Sequence, residues 1–230
     1  MARWSVAPYN SAAMVLALLL TLLLAYLAGS LPTGFLVARA MRVDITRVGS
    51  GNIGATNVFR VLGAGLGVFV LVVDFLKGAV SASLVPGWIL RAAGGPVDVE
   101  MSVWVAMAGG LGSVLGHNYT PWLRFKGGKG IATSAGVLAG LMPPAFGVSL
   151  ATFIVILGVW RYVSLASILA ALVLPIAVLR LSADRRLFWL SLVLSALAVY
   201  KHRANISRLV AGTETRIGSR RAPPQEEVPR

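Results

Sequence analysis

Three short polar stretches interrupt an otherwise apolar chain, and each carries residues suited to holding an anion. The first is Gly49-Ser50-Gly51-Asn52-Ile53-Gly54-Ala55-Thr56-Asn57-Val58-Phe59-Arg60. Its glycines allow unusual φ/ψ and a close approach of backbone to a ligand. Ser50, Asn52, Thr56 and Asn57 add neutral hydrogen-bonding groups, and Arg60 adds a charge. The G-x-G-x-x-G inside it is not read as a dinucleotide fingerprint, which needs a preceding strand and a βαβ unit. Asp74, where a ribose-binding acid would be sought, lies within an apolar run. The second stretch, His117 to Ser134, contains Phe125-Lys126-Gly127-Gly128-Lys129-Gly130. It fails as a Walker loop, because Leu123 and Gly130 stand where Gly and Ser or Thr are required. Lys126 and Lys129 nevertheless bracket Gly127 and Gly128. A helix expected to start near Ile131 would offer free N–H groups and a positive dipole end to a phosphate, and Thr133 and Ser134 would add hydroxyls. In the third stretch His202, Asn205 and Arg208 recur at every third residue, which places them on one helix face. Glu214 follows shortly after. Lys201 and Arg203 flank His202 and are expected to lower its pKa by like-charge repulsion.

Other chemistries find no residues to carry them. There is no Cys, there are two His, and the carboxylates are scattered. No metal-ligand cluster and no Ser-His-Asp order is legible, so neither a metal nor a cofactor is expected. Five residues after the two His stand Trp122 and Ser207, not the Asp of a His-x-x-x-x-Asp acyltransferase. Any catalysis must rest on anion binding and positioning.

The elements that would position these stretches are membrane helices. Of 230 residues 57% are apolar and 13% are charged, against about 25% charged in a typical soluble domain. The net charge of +13 points to anionic partners such as lipid head groups and phosphates. Nucleic acid is not expected, because long apolar stretches separate the basic residues. A spanning helix needs about 20 apolar residues. Candidate segments run over 11–37, 62–90, 101–116, 131–142, 145–159, 163–179 and 187–199. The first reads as a retained span, since it is long for a signal peptide and Tyr26-Leu27-Ala28 is a poor cleavage site. The fourth is short enough to be re-entrant, which leaves fewer than seven full crossings open. With the N-terminus outside, the inner segments hold fifteen Lys and Arg and the outer ones five, so the positive-inside rule gives N-out, C-in. The expectation is an all-α polytopic transmembrane bundle of about seven segments over residues 1–216, with a disordered cytoplasmic tail over 217–230. All three polar stretches then face the cytoplasm. Asp74 and Lys77, three residues apart in an apolar run, are expected to form an ion pair facing the bundle interior and bracing the site.

The strings GSGNIGATNVFR, GHNYTPWLRFKGGKGIATSAG and KHRANISRLVAGTE resemble the three signature segments of the bacterial acyl-phosphate:glycerol-3-phosphate acyltransferases. Gly29-Ser30-Leu31-Pro32-Thr33-Gly34 and the Asp74…Lys77-Gly78 pair fit as well, so the likeness runs from about Gly29 to Glu214. Ile53 departs from the Pro common in the first segment and is expected to change loop stiffness more than chemistry. The resemblance implies a multi-pass enzyme of the bacterial inner membrane that moves an acyl group from acyl phosphate to the 1-hydroxyl of glycerol 3-phosphate. The products would be lysophosphatidic acid and phosphate. It implies that Ser50, Arg60, Lys129 and Asn205 bind phosphate groups. Gly51, Thr56, Gly127 and Gly128 would line the loops around the acyl phosphate, while His202 and Glu214 orient neighbouring groups. Asn52, Asn57, Lys126, Thr133, Ser134 and Arg208 complete the expected substrate contacts. The expected partners are the two substrates, membrane lipids and the enzyme that forms acyl phosphate. The base is left open between a donor phosphate oxygen and His202. A transporter of a phosphorylated anion would explain the spans equally well, but a transport site belongs at the midplane, not in three loops on one face.

Overall fold

A computed structural model describes residues 11–92 and 99–218. Among these residues every regular element is a helix: α1 (Ser11–Gly29), α2 (Thr33–Ala40), α3 (Ala55–Leu62), α4 (Ala64–Ala92), α5 (Val99–Asn118), α6 (Ile131–Leu141), α7 (Pro143–Trp160), α8 (Val163–Leu181), α9 (Arg185–Lys201) and α10 (Arg203–Val210). A single 3-10 turn, Pro121–Leu123, follows α5. Four stretches are long and apolar enough to cross a bilayer: Ala12–Ala40, Ala64–Ala92, Pro143–Trp160 and Val163–Leu181. Leucines and other large apolar residues such as Leu16, Leu23, Phe69, Ile154 and Ile176 are exposed on these helices, as a lipid-facing surface requires. The short fourth segment is an apolar helix of 11 residues, α6. Pro143 and Pro144 open α7 and do not interrupt it, since proline fits the first helical turn where its missing N–H is not needed.

Small residues let the helix backbones touch. In α6 a Cβ at Gly136 would overlap the Phe75 carbonyl of α4, and in α4 a Cβ at Gly78 would overlap the Thr133 carbonyl of α6. Reciprocal glycines of this kind replace the hydrophobic driving force that is absent between helices in lipid. They hold α6 against α4, which fixes where the Lys129 loop ends.

The break between α1 and α2 is braced from inside the bundle. Thr120 Oγ1 donates to the Ser30 carbonyl at 2.6 Å and Trp122 Nε1 donates to Ser30 Oγ at 2.9 Å. Lys77 Nζ donates to the Leu31 carbonyl at 3.1 Å and pairs with Asp74 at 2.8 Å. Thr33 Oγ1 donates to the same carboxylate at 3.1 Å. The expected ion pair is therefore present. It ties α4 to a carbonyl freed where the first helix stops, a group that would be costly unsatisfied in hydrocarbon.

The loop over 41–54 is anchored by a separate apolar cluster of Ala38, Ile45, Ile53, Val58 and Val70. Ile53 is buried, so the residue that departs from the family pattern is a packing anchor for the loop. Of the predicted tail, residues 219–230 lie outside the described set. Its first residue, Ile217, is held by its backbone: Ile217 N–H donates to the Arg161 carbonyl at 2.8 Å and the Arg161 guanidinium donates to the Ile217 carbonyl at 2.7 Å.

Candidate functional site

The three polar stretches meet in one chamber. A cavity of about 140 Å³ is lined by Ser50, Asn52, Thr56, Asn57 and Arg60 from the first stretch, Lys129 from the second, and His202, Asn205 and Glu214 from the third. The first turns of α3, α6 and α8 also line it, through Ala55, Ile131 and Val163. Three helix N-termini thus border one space, and the positive dipole end of each helix suits an anion there. The space is large enough for a small polar molecule. It adjoins a wider groove of about 790 Å³ that shares Ser50, Thr56, Arg60 and Glu214 and continues between Val68, Leu71, Phe153 and Leu157.

Glu214 organises the floor. It accepts from Asn205 Nδ2 at 2.7 Å and Ser164 Oγ at 2.8 Å on one oxygen, and from Arg208 Nε at 2.7 Å on the other. Asn205 Oδ1 in turn accepts a hydrogen bond from Lys129 Nζ. The Asn205 amide is oriented by partners at both ends, so Lys129, Asn205 and Glu214 form a fixed chain. Burial alone would raise the Glu214 carboxyl, but hydrogen bonds from Asn205, Arg208 and Ser164 outweigh it and hold the group below the usual range. It is an anion in the floor, charge-compensated by Arg208.

Lys129 is pulled down to about 8. Burial is the main cause. Glu214 opposes the shift, while Arg208, Arg60 and Lys201 add to it. An arriving phosphate would relieve that repulsion. His202 is lowered to about 4, first by burial and then by Lys129. The expected repulsion from its chain neighbours Lys201 and Arg203 is therefore not the principal cause: a cation from another loop and the loss of solvent are. His202 Nδ1 lies 2.8 Å from the Ala198 carbonyl. A carbonyl only accepts, so Nδ1 carries the proton and Nε2 keeps a lone pair. The ring is a neutral hydrogen-bond acceptor in the chamber wall.

The structure separates the expected contacts into those that face the chamber and those that build it. Asn57 lines the chamber, but its amide is committed to the loop: Oδ1 accepts from Ser50 N–H at 2.8 Å, and Nδ2 donates to the Ile45 and Val48 carbonyls at 3.2 and 3.1 Å. Asn52 Oδ1 accepts from Gly54 N–H at 2.8 Å. Gly49 and Gly51 sit at φ of 63° and 69°, where a side chain would be strained. Gly128 packs against the His117 ring and Thr133 is fully buried against α4, neither lining the chamber. Ser134 lies one residue further into α6 and also stays outside the lining, as does Arg208, which reaches the site through Glu214. Lys126, Gly127 and Gly51 line a separate outer groove. Four lining residues with polar side chains are not among the expected contacts: Ser164 and Ser167 of α8, His117, and Asp74, which both braces and lines. A serine at the start of an apolar helix carries no sequence signal that separates it from an ordinary interfacial residue.

Comparison with known proteins agrees with this geometry. A family profile described as glycerol-3-phosphate acyltransferase matches residues 19–212. The chain is 50% identical over 190 residues to a glycerol-3-phosphate acyltransferase of Geotalea daltonii, covering 83% of this chain and 92% of that one. It is 47% identical to one of Geobacter sulfurreducens over 193 residues, covering 84% and 94%. The crystal structure of PlsY (YgiH), an integral membrane glycerol 3-phosphate acyltransferase in its glycerol 3-phosphate form, is 39% identical with a TM-score of 0.77, covering 87% of this chain and 96% of that one. Its lysophosphatidic acid form matches with a TM-score of 0.75 at 38% identity, covering 87% and 95%. The chain belongs to the glycerol-3-phosphate acyltransferase family.

Proposed function

We propose that the chamber transfers an acyl group from acyl phosphate to the sn-1 hydroxyl of glycerol 3-phosphate, giving lysophosphatidic acid and phosphate as the first step of bacterial phospholipid synthesis. The observation that carries this reading is the junction of two spaces. A small chamber lined by Lys129, Arg60 and three helix N-termini adjoins a wider groove that runs past Val68, Leu71, Phe153 and Leu157. A phosphate-bearing polar substrate suits the first, and an acyl chain suits the second.

In this account the phosphate of glycerol 3-phosphate lies against Lys129 and Arg60, with Asn205 and Glu214 holding the lysine in place. The sn-1 oxygen attacks the acyl carbonyl, a C–O bond forms, and the bond from the carbonyl carbon to the phosphate oxygen breaks. The hydroxyl proton passes to an oxygen of the departing phosphate. Acyl phosphate is a mixed anhydride with a good leaving group, so a strong protein base is not required. His202, neutral with a lone pair on Nε2, accepts from the hydroxyl and orients it; a pKa of about 4 makes it a weak base at neutral pH. The protein's share is positioning and charge stabilisation.

With about seven membrane segments, the fifteen-to-five distribution of Lys and Arg supports an N-terminus outside and a chamber facing the cytoplasm of a bacterial inner membrane. The test is donor choice. Purified protein in detergent is to be given glycerol 3-phosphate with either acyl phosphate or acyl-CoA, with and without EDTA. Lysophosphatidic acid is expected from acyl phosphate alone and independently of EDTA. Equal turnover with acyl-CoA, or loss of activity in EDTA, overturns the mechanism.

A further inference from the structure

The two loops that wall the chamber have a reverse side. Ser50, Asn52 and Gly54 line the chamber, while Gly51 lines a groove on the other side and the buried Ile53 forms part of its base. Likewise Lys129 and Gly130 face in, and Lys126 and Gly127 face out. The outward residues line a second groove of about 810 Å³, closed on its far side by the end of α2.

This outer groove is cationic. Arg39, Arg42, Arg124 and Lys126 line it, and its one carboxylate is already engaged. Asp44 pairs with Arg47 at 3.1 Å and accepts from Thr46 Oγ1 at 2.6 Å. Among the described residues none of the four lining cations has an ion-pair partner. The rim is apolar and open at Trp122, which is 66% exposed, and Phe125, between the lining Arg124 and Lys126, is 63% exposed. Arg42, Arg124 and Phe125 all take φ near +60°, so the backbone on both sides of the groove holds a conformation that non-glycine residues avoid.

We propose that the outer groove binds the phosphate head group of an anionic bilayer lipid, and that the bound lipid raises turnover by bracing the reverse faces of the two chamber loops. Clustered Lys and Arg at a membrane boundary recognise anionic head groups, and exposed tryptophan beside them is the usual anchor at head-group depth. A free phosphate would use the cations but leave the apolar rim in water. The contact is mechanical as well as electrostatic, because the same two loops line both spaces through different residues, Gly51 and Ile53 against Ser50, Asn52 and Gly54, and Lys126 and Gly127 against Lys129 and Gly130. The rate effect rests on the acyl-transfer reading of the chamber, whereas lipid binding does not.

The experiment uses the full chain in vesicles of phosphatidylcholine alone and of phosphatidylcholine mixed with phosphatidylglycerol. Retained lipid is read by native mass spectrometry and turnover by phosphate release. Wild type should retain phosphatidylglycerol and turn over faster in the mixed vesicles. The double variant Arg39→Gln, Arg124→Gln should retain it about 30-fold less well, from the loss of two surface cations. Its turnover in phosphatidylcholine should match wild type and not rise with phosphatidylglycerol. Arg39→Lys, Arg124→Lys keeps the charge and should keep both responses, which separates charge from misfolding. Equal retention and equal activation in the glutamine variant would overturn the proposal, as would absence of any phosphatidylglycerol adduct on wild type. Activation by soluble glycerophosphoglycerol to the same extent would assign the groove to a free anion. Retention without any turnover in any vesicle would refute the chamber reading and leave the lipid site standing.

Discussion

Lys129→Ala isolates the chamber's charge from its architecture. The ammonium sits among Arg60, Arg208 and Lys201 with a single carboxylate, Glu214, to oppose them, and burial holds it down to about 8. Its one mapped hydrogen bond is to Asn205 Oδ1. Removing it leaves the Asn205–Glu214 bond of 2.7 Å and the Arg208–Glu214 bond of 2.7 Å intact, so the floor should persist. The variant relieves cation crowding while losing one hydrogen bond to Asn205, two effects of opposite sign on folding, and its thermal midpoint in detergent should stay close to wild type. The loss should fall on kcat/KM for glycerol 3-phosphate and should be large, because truncating one partner of a buried hydrogen-bonded charge pair costs about 2–5 kcal/mol, or about 30- to 5000-fold. Lys129→Arg should recover little, since a planar guanidinium does not replace a compact ammonium between Gly128 and Gly130. Initial rates of lysophosphatidic acid formation across glycerol 3-phosphate concentrations give kcat and KM. A Lys129→Ala protein that keeps more than about half of the wild-type rate would reduce the basic loop to a topogenic role and remove it from the site.

Other outcomes follow from the same geometry. The protonated form of Lys129 binds phosphate, so kcat/KM for glycerol 3-phosphate should hold below pH 8 and fall as pH rises through about 8, and this alkaline limb should be missing in Lys129→Arg. Gly136→Ala would drive a methyl group into the Phe75 carbonyl, so it should lower the thermal midpoint by the equivalent of about 1–3 kcal/mol. Gly147→Ala, with nothing within 4 Å of its Cβ, should be silent. Single Cys residues at Ser50, Lys126 and Ser207 should be labelled from the cytoplasmic side and one at Ala92 from the opposite side. Labelling of the first three from different faces would break the single-chamber account.

Much of this site is legible in the chain because its residue types are out of place there. Lys129, Asn205, Arg60 and Glu214 stand in glycine-rich or basic islands between apolar helices, and the islands' common end of the bundle follows from the span order. The inner and outer faces of a loop are not legible in the same way. Lys126 and Lys129 look equivalent in Lys-Gly-Gly-Lys, yet the Gly127-Gly128 backbone between them is tied to the Asn118 and His117 carbonyls, and Lys126 lines the outer groove while Lys129 lines the chamber. Asn57 offers donors like any binding residue, and only the fold reveals that the Ile45 and Val48 carbonyls take them. Ser164 was hidden for the opposite reason, because its role depends on Glu214, 50 residues away, reaching back to it. Thr133 was drawn to the site by its place in the first turn of α6, but that turn faces α4 on one side and the chamber on the other.

Direct transfer without an acyl-enzyme is the central chemical claim, and rapid-quench measurement of phosphate release from acyl phosphate tests it most directly. With glycerol 3-phosphate present, phosphate and lysophosphatidic acid should appear in equal amounts from the first turnover. Without glycerol 3-phosphate, no enzyme-stoichiometric release should occur. A burst of phosphate equal to the enzyme concentration in the absence of glycerol 3-phosphate would mean that the protein itself takes the acyl group, and would contradict the account.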